Sequence, residues 1–183
     1  MNIFDNLRIT VIIVFFLWLI FLLDFLLPIR LEQFGIYPRN IRTIYGILLS
    51  PFIHANIIHL IANTCALSIL LFTSLSYSRS QTFEAIILTI FIGGGAVWLI
   101  GKPNTVHVGA SGVIWGLIGF LLFCGLFQKN IKSICVSIII LFLYGGSLIS
   151  LFRYVPGISF SGHLFGFLSG ILAAWLSRPL EKV

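Results

Sequence analysis

Six long apolar stretches, separated by short polar breaks, set the pattern of the sequence. A membrane-spanning helix needs about 20 predominantly apolar residues. Segments at about 9–27, 56–74, 83–101, 108–127, 134–152 and 158–177 meet that need. The first is closed by Pro28, is too long for a signal peptide and has no small-residue cleavage site after it, so it reads as a retained helix. Most breaks are brief: Ser78-Arg79-Ser80, Lys102–His107, Gln128–Ser133 and Arg153–Gly157. The longest connection runs from Pro28 to about Ala55 and holds Arg30, Glu32, Pro38, Arg39 and Arg42. Within it, residues 44–53 are apolar but interrupted by Gly46 and Pro51; this piece is too short to span and suits an interfacial or re-entrant position. The pattern predicts an all-α membrane protein, a compact bundle of six transmembrane helices with a partly embedded first loop, forming one domain over residues 1–183. No internal repeat and no low-complexity segment interrupts it.

Composition sharpens that picture. The chain is 59% hydrophobic and 9% charged, with mean hydropathy +1.12; soluble domains carry about 25% charged residues. The lipid bilayer is therefore its first partner. The net charge of +6 comes from 11 basic and 5 acidic residues scattered through the breaks. With no basic patch and no aromatic interleaving, it does not indicate nucleic-acid binding. With the N-terminus inside, the inner breaks carry Arg8, Arg79, Lys129, Lys132, Arg178 and Lys182, and the outer ones Arg30, Arg39, Arg42, Lys102 and Arg153. That margin of one basic residue favours cytoplasmic N- and C-termini. Cys65, Cys124 and Cys135 all fall in apolar runs. Their odd number argues against a disulfide framework, and they read as small buried packing residues. The 18 phenylalanines read mainly as lipid-facing bulk.

Polar side chains inside membrane helices are costly and are usually functional or paired. Here they are His54, His59, Asn63, Ser111 and His163. Segments two, four and six run in the same direction, because a full hairpin separates each from the next. His54, His59 and Asn63 lie at the start of the second and Ser111 at the start of the fourth. His163 lies about 8 Å along the sixth at 1.5 Å per residue. All five are thus near one membrane face. His59 and Asn63 are spaced i, i+4 and share a helical face, as do Ser111 and Trp115. A lone serine in a membrane helix is more often a packing or back-bonding residue. Here Gly109 and Gly112 flank it, Gly112, Gly116 and Gly119 follow along its helix, and Gly166, Gly170 and Ala174 form a small-residue ridge behind His163. Such residues let two helices approach closely, as a direct Ser–His hydrogen bond of about 2.6–3.2 Å requires.

That combination suits nucleophilic acyl transfer. Ser111 would attack, His163 would serve as base and then as acid, and His59, Asn63 and the Ser111 backbone N–H would face the oxyanion. Among the acidic residues, Asp24 lies near the same face and Glu84 near the opposite one, so a Ser–His dyad is preferred, with Asp24 as an optional third member. His54 reads as structural and His107 as an exposed loop residue. Gly93-Gly94-Gly95 suits close packing better than a hinge. No cofactor and no metal set is indicated: His54 and His59 are five apart and no Glu follows His54, so the helical zinc-protease motif is missing. A transporter or channel would show internal repeats or charges along a pathway, and the acidic residues avoid the segment centres.

Three motifs together resemble the rhomboid intramembrane serine proteases: His54-x4-His59-x3-Asn63, Gly109-x-Ser111-Gly112 and His163-x2-Gly166-x3-Gly170. They occur in the family's order over about Tyr37 to Trp175. The resemblance implies a six-helix fold with a water-accessible site below the outer surface, Ser111 as nucleophile, His163 as base, His59 and Asn63 as oxyanion partners and His54 in support. It implies transmembrane proteins as substrates, admitted past helix five and the loop after it. The compact form suggests a prokaryotic plasma membrane. Two positions depart from the family's pattern. Tyr45-Gly46 stand where a Trp-Arg pair is common in the first loop, and Trp115 stands where Tyr or Phe usually stacks on the base. A second reading is a catalytically silent rhomboid-like module that binds client helices; retention of both dyad members argues against it.

Overall fold

The computed structural model describes residues 2–152 and 159–179. Its long helices are α1 (Ile3–Leu26), α2 (Ile57–Tyr77), α3 (Arg79–Ile100), α4 (Ser111–Gln128), α5 (Ile131–Leu148) and α6 (Phe160–Leu176). The first five are long and apolar enough to cross a membrane, and α6 is an apolar helix of 17 residues. Among the described residues there is no named strand; an isolated antiparallel bridge joins Ile36 to His107. The chain is an all-α integral membrane protein.

Several helix ends depart from the apolar pattern for local reasons. α1 begins at Ile3 rather than about residue 9, because Asn2 caps it through Phe4 N and its polar first turns have partners. Buried Asn6 accepts from Arg79 Nε at 2.6 Å and donates to Ser76 Oγ, while Arg79 also pairs with Asp5 at 3.4 Å. α4 begins at Ser111 rather than Val108, because Gly109 has φ +111°, outside the helical region. α5 starts three residues early at an Asn130–Ser133 capping box. Residues 149–152 continue it only as a 3₁₀ turn. The Arg153–Gly157 link, the expected α6 residue Ile158 and Lys182 lie outside the described residues.

α4 forms the centre. Its Leu117, Phe120, Leu121 and Cys124 are almost fully buried beside Leu60, Leu70 and Leu71 of α2. The outer helices present apolar side chains outward, Phe15 on α1 and Phe142 on α5 among them. The cysteine expectation holds only for Cys124; Cys65 and Cys135 are exposed on the flanks of α2 and α5. α4 and α6 pack backbone to backbone. A Cβ on Gly166 would strike the Gly112 backbone, and one on Gly170 would strike Gly116 and lie 2.8 Å from Phe120 N. α3 is interrupted by a π-helical turn at Thr89–Gly93, where Gly93 packs against Phe165 and Ser169 of α6. Gly93 therefore has a packing role, as the triplet suggested.

The first loop consists of short turns at Leu31–Phe34, Ile41–Thr43, Gly46–Leu49 and Ser50–Phe52. Its anchor is a clamp on the end of α3. Arg39 N donates to Trp98 O at 2.8 Å, Arg39 Nη1 to Leu99 O at 3.0 Å, and Trp98 Nε1 back to Asn40 O at 3.1 Å. Gly46 packs directly on the Gly35 backbone, and Tyr45 meets the Phe34 ring at 6.1 Å. Asp24 accepts from Leu31 N at 2.6 Å, which employs it in tethering this loop to α1.

Candidate active site

The site is built where the starts of α2, α4 and α6 meet. Asn56 caps α2 by accepting from His59 N at 2.9 Å, which fixes His59 in the first turn and Asn63 one turn deeper. Both side chains reach Gly109, the residue two before Ser111. A Cβ at Gly109 would lie 2.7 Å from His59 Nε2 and 3.2 Å from Asn63 Nδ2. Glycine is required there twice, for this approach and for its positive φ. Asn63 is buried, and its Nδ2 has no hydrogen-bond partner. Buried donors are nearly always paired, so this amide, beside the Ser111 turn, is an exception to that rule.

That turn is itself tied down. Gly109 N donates to Ser50 O at 2.8 Å, and Ala110 N to His54 Nε2 at 3.4 Å. The N–H groups of Ser111 and Gly112 then begin α4, where helices have no internal acceptor. His54 is buried and stands 5.3 Å from the His59 ring. Its pKa is lowered to about 4, first by burial and then by the neighbouring His59. It is a neutral acceptor for the loop.

His163 lies in the first turn of α6, opposite Gly112. A Cβ at Gly112 would lie 3.6 Å from Gly162 O, and one at Gly166 would strike the Gly112 backbone. The glycines thus bring the two backbones together. Trp115, buried on α4, packs against the His163 ring in a tilted contact, with centroids 5.4 Å apart and planes 34° apart. Ser111 Oγ and the His163 ring are half-buried and are not hydrogen-bonded to one another among the described residues. Asp24 is occupied with Leu31, as described above. Beside Ser111 lies a cavity of about 50 Å³ whose lining includes Gly112, Thr89, Gly93, His107 and Ser159. Thr89 Oγ1 is buried there without a partner.

His107 is not the exposed loop residue that its position in the sequence suggested. It is half-buried, its backbone pairs with Ile36, and its ring bonds Thr105 and Ser159. Burial lowers its pKa. No signal in the local sequence marks this, because Ile36 and Ser159, which hold its backbone and its Nδ1, lie in the first loop and at the start of α6.

A family model described as "Rhomboid domain" matches residues 42–180. The chain is 37% identical over 174 residues to an uncharacterized protein of Mycobacterium tuberculosis, covering 91% of this chain and 72% of that one. It is 36% identical over 174 residues to an uncharacterized protein of Mycobacterium leprae, covering 91% and 69%. It is 29% identical over 175 residues to "Rhomboid-type serine protease 2" of Eremothecium gossypii, covering 91% and 66%. No solved structure matches significantly.

Proposed function

Because the chain belongs to the rhomboid family, we propose that it is an intramembrane serine endopeptidase that cuts transmembrane segments of other membrane proteins. The observation that carries this reading is the unpartnered, buried Asn63 amide beside Gly109, at the turn that presents Ser111. In the reaction, Ser111 Oγ attacks the scissile carbonyl carbon and its proton passes to His163. The carbonyl oxygen becomes an oxyanion facing Asn63 Nδ2, His59 and the Ser111 N–H. Collapse of the tetrahedral intermediate breaks the C–N bond, and His163 returns the proton to the leaving amine. Water, deprotonated by His163, then releases the acyl group from Ser111. The Trp115 stack keeps the imidazole over α4. The open Ser111–His163 pair is compatible with this chemistry, since catalytic hydrogen bonds are often long without substrate and tighten when it binds.

A spanning helix hides its carbonyls in hydrogen bonds, so segments with helix-breaking residues near the outer interface are the favoured substrates. They enter past α5; the loop that follows it, assigned to the gate, lies outside the described residues. The mycobacterial relatives support a bacterial plasma membrane location, and the excess of one basic residue in the inner breaks favours cytoplasmic termini. The open Ser111–His163 pair is also what favours the second reading, a silent module that binds client helices. A cleavage assay in liposomes separates the two. Wild type is expected to cut a reporter transmembrane substrate while Ser111→Ala and His163→Ala do not; no product from wild type, which nonetheless binds the reporter, would leave only the second reading.

A further inference from the structure

We infer that His107 is a positioning residue for His163, acting through the hydroxyl of Ser159. This rests on the assignment of His163 as the base. Ser159 is the N-cap of α6 and accepts from Gly162 N at 3.0 Å, while Ser159 O accepts from His163 N at 3.0 Å. The same serine hydroxyl lies 2.7 Å from His107 Nδ1. On the other side of the ring, Nε2 lies 2.9 Å from Thr105 Oγ1, which donates its proton to Lys102 O at 2.6 Å.

Those partners fix the proton positions. Thr105 has spent its only hydroxyl proton on Lys102, so it can only accept from His107 Nε2. A neutral imidazole with its proton on Nε2 leaves Nδ1 as an acceptor, and the Ser159 hydroxyl fills that role. The result is one directed chain: Gly162 N–H to Ser159 Oγ–H to His107 Nδ1, then Nε2–H to Thr105 Oγ1–H to the Lys102 carbonyl. Burial of His107 favours this neutral form.

The ring is also fixed from behind. His107 N donates to Ile36 O and Ile36 N to His107 O, both at 3.0 Å, and the first loop that carries Ile36 is clamped to α3. His107 therefore links a rigid frame to the one turn of α6 that carries His163 and faces Gly112. Without the link, the Ser159 cap loses its orientation, and the imidazole loses its set position against Trp115. Misplacement of a reacting group by about 1 Å can cost on the order of 100-fold in rate.

The test uses the purified full chain in liposomes with a cleavable transmembrane reporter. Wild type that neither cuts the reporter nor reacts with a fluorophosphonate at Ser111 would defeat the dyad assignment itself. With wild type active, His107→Ala is expected to lower kcat about tenfold or more and to leave KM within about twofold. His107→Asn places its amide oxygen where Nδ1 stood and is expected to recover most of the loss. His107→Gln places its amide where Nε2 stood and is not. Ser159→Ala should match His107→Ala, and the double variant should lose no more than either alone. Wild-type kcat in His107→Ala, equal loss in the Asn and Ala variants, or losses that multiply in the double variant would each overturn the inference. If His107→Ala does not fold, Ser159→Ala decides: an unchanged kcat overturns the inference, and a lowered kcat with KM preserved upholds it.

Discussion

The Trp115 indole packs against the His163 imidazole in a tilted arrangement, with ring centroids 5.4 Å and planes 34° apart, and meets Phe167 edge-on at 6.2 Å. The two residues come from different helices, so this ring contact ties the imidazole of α6 to α4. Trp115→Phe keeps an aromatic surface and is expected to retain activity within a few-fold. Trp115→Ala removes the stack and opens a cavity, costing about 3–5 kcal/mol of stability together with most of the activity. Thermal unfolding and reporter cleavage measured side by side check both parts. Activity that stays at the wild-type level in the folded Ala variant would reduce Trp115 to packing.

Asn63 presents the opposite signature. Its Nδ2 is buried without a partner, so the resting protein bears an unpaired-donor cost of about 1–3 kcal/mol. Asn63→Ala removes that donor. Its kcat is expected to fall by about tenfold to a thousandfold, while the unfolding temperature holds or rises. A variant that is both active and less stable would assign Asn63 to helix packing instead.

The glycines of α4 and α6 can be ranked by what a methyl group would meet. Gly170→Ala drives Cβ onto the Gly116 carbonyl and to 2.8 Å from Phe120 N. It is expected to lower stability by about 1–3 kcal/mol or more. Gly95→Ala, with nothing within 4 Å, is expected to be neutral or to gain up to about 1 kcal/mol from helix propensity. Unfolding midpoints of the two variants test the ranking, and a reversed order would contradict the close α4–α6 packing.

His54 gives a pH signature. Its pKa falls from 6.5 to about 4 on folding, so the unfolded chain takes up a proton that the folded one resists. Its contribution to stability is intact above pH 6.5 and is lost as pH falls from 6.5 towards 4, by up to about 3 kcal/mol over the whole window. His54→Gln can still accept from Ala110 N but does not titrate. The unfolding temperature of wild type should therefore drop more steeply than that of His54→Gln between pH 6.5 and 4.5. Parallel curves would contradict a neutral, buried His54.

Much of this was legible in the sequence because it depends on spacing along one helix or on counting spans. The apolar segments mark the helices to within a few residues. The parity of the spans puts His59, Asn63, Ser111 and His163 at one end of the bundle. The small residues on α4 and α6 announce a close crossing. Contacts between distant loops leave no such periodicity. The Arg39–Trp98 clamp and the His107–Ser159 bond each join a polar break to a segment more than 50 residues away. The early start of α1 was hidden for a related reason. Asn6 reads as a residue outside the membrane until Arg79, 73 positions later, is seen to satisfy it. Cys65 and Cys135 resemble Cys124 in sequence context, and only the packing separates the buried one from the two on the flanks.

The proposed chemistry requires Ser111 to be a nucleophile. The most direct measurement is reaction of the folded protein with a fluorophosphonate, followed by mass-spectrometric mapping of the adduct. A single adduct on Ser111 is expected, lost in Ser111→Ala and strongly slowed in His163→Ala. No adduct on a folded wild-type protein, or one that persists unchanged in Ser111→Ala, would contradict it.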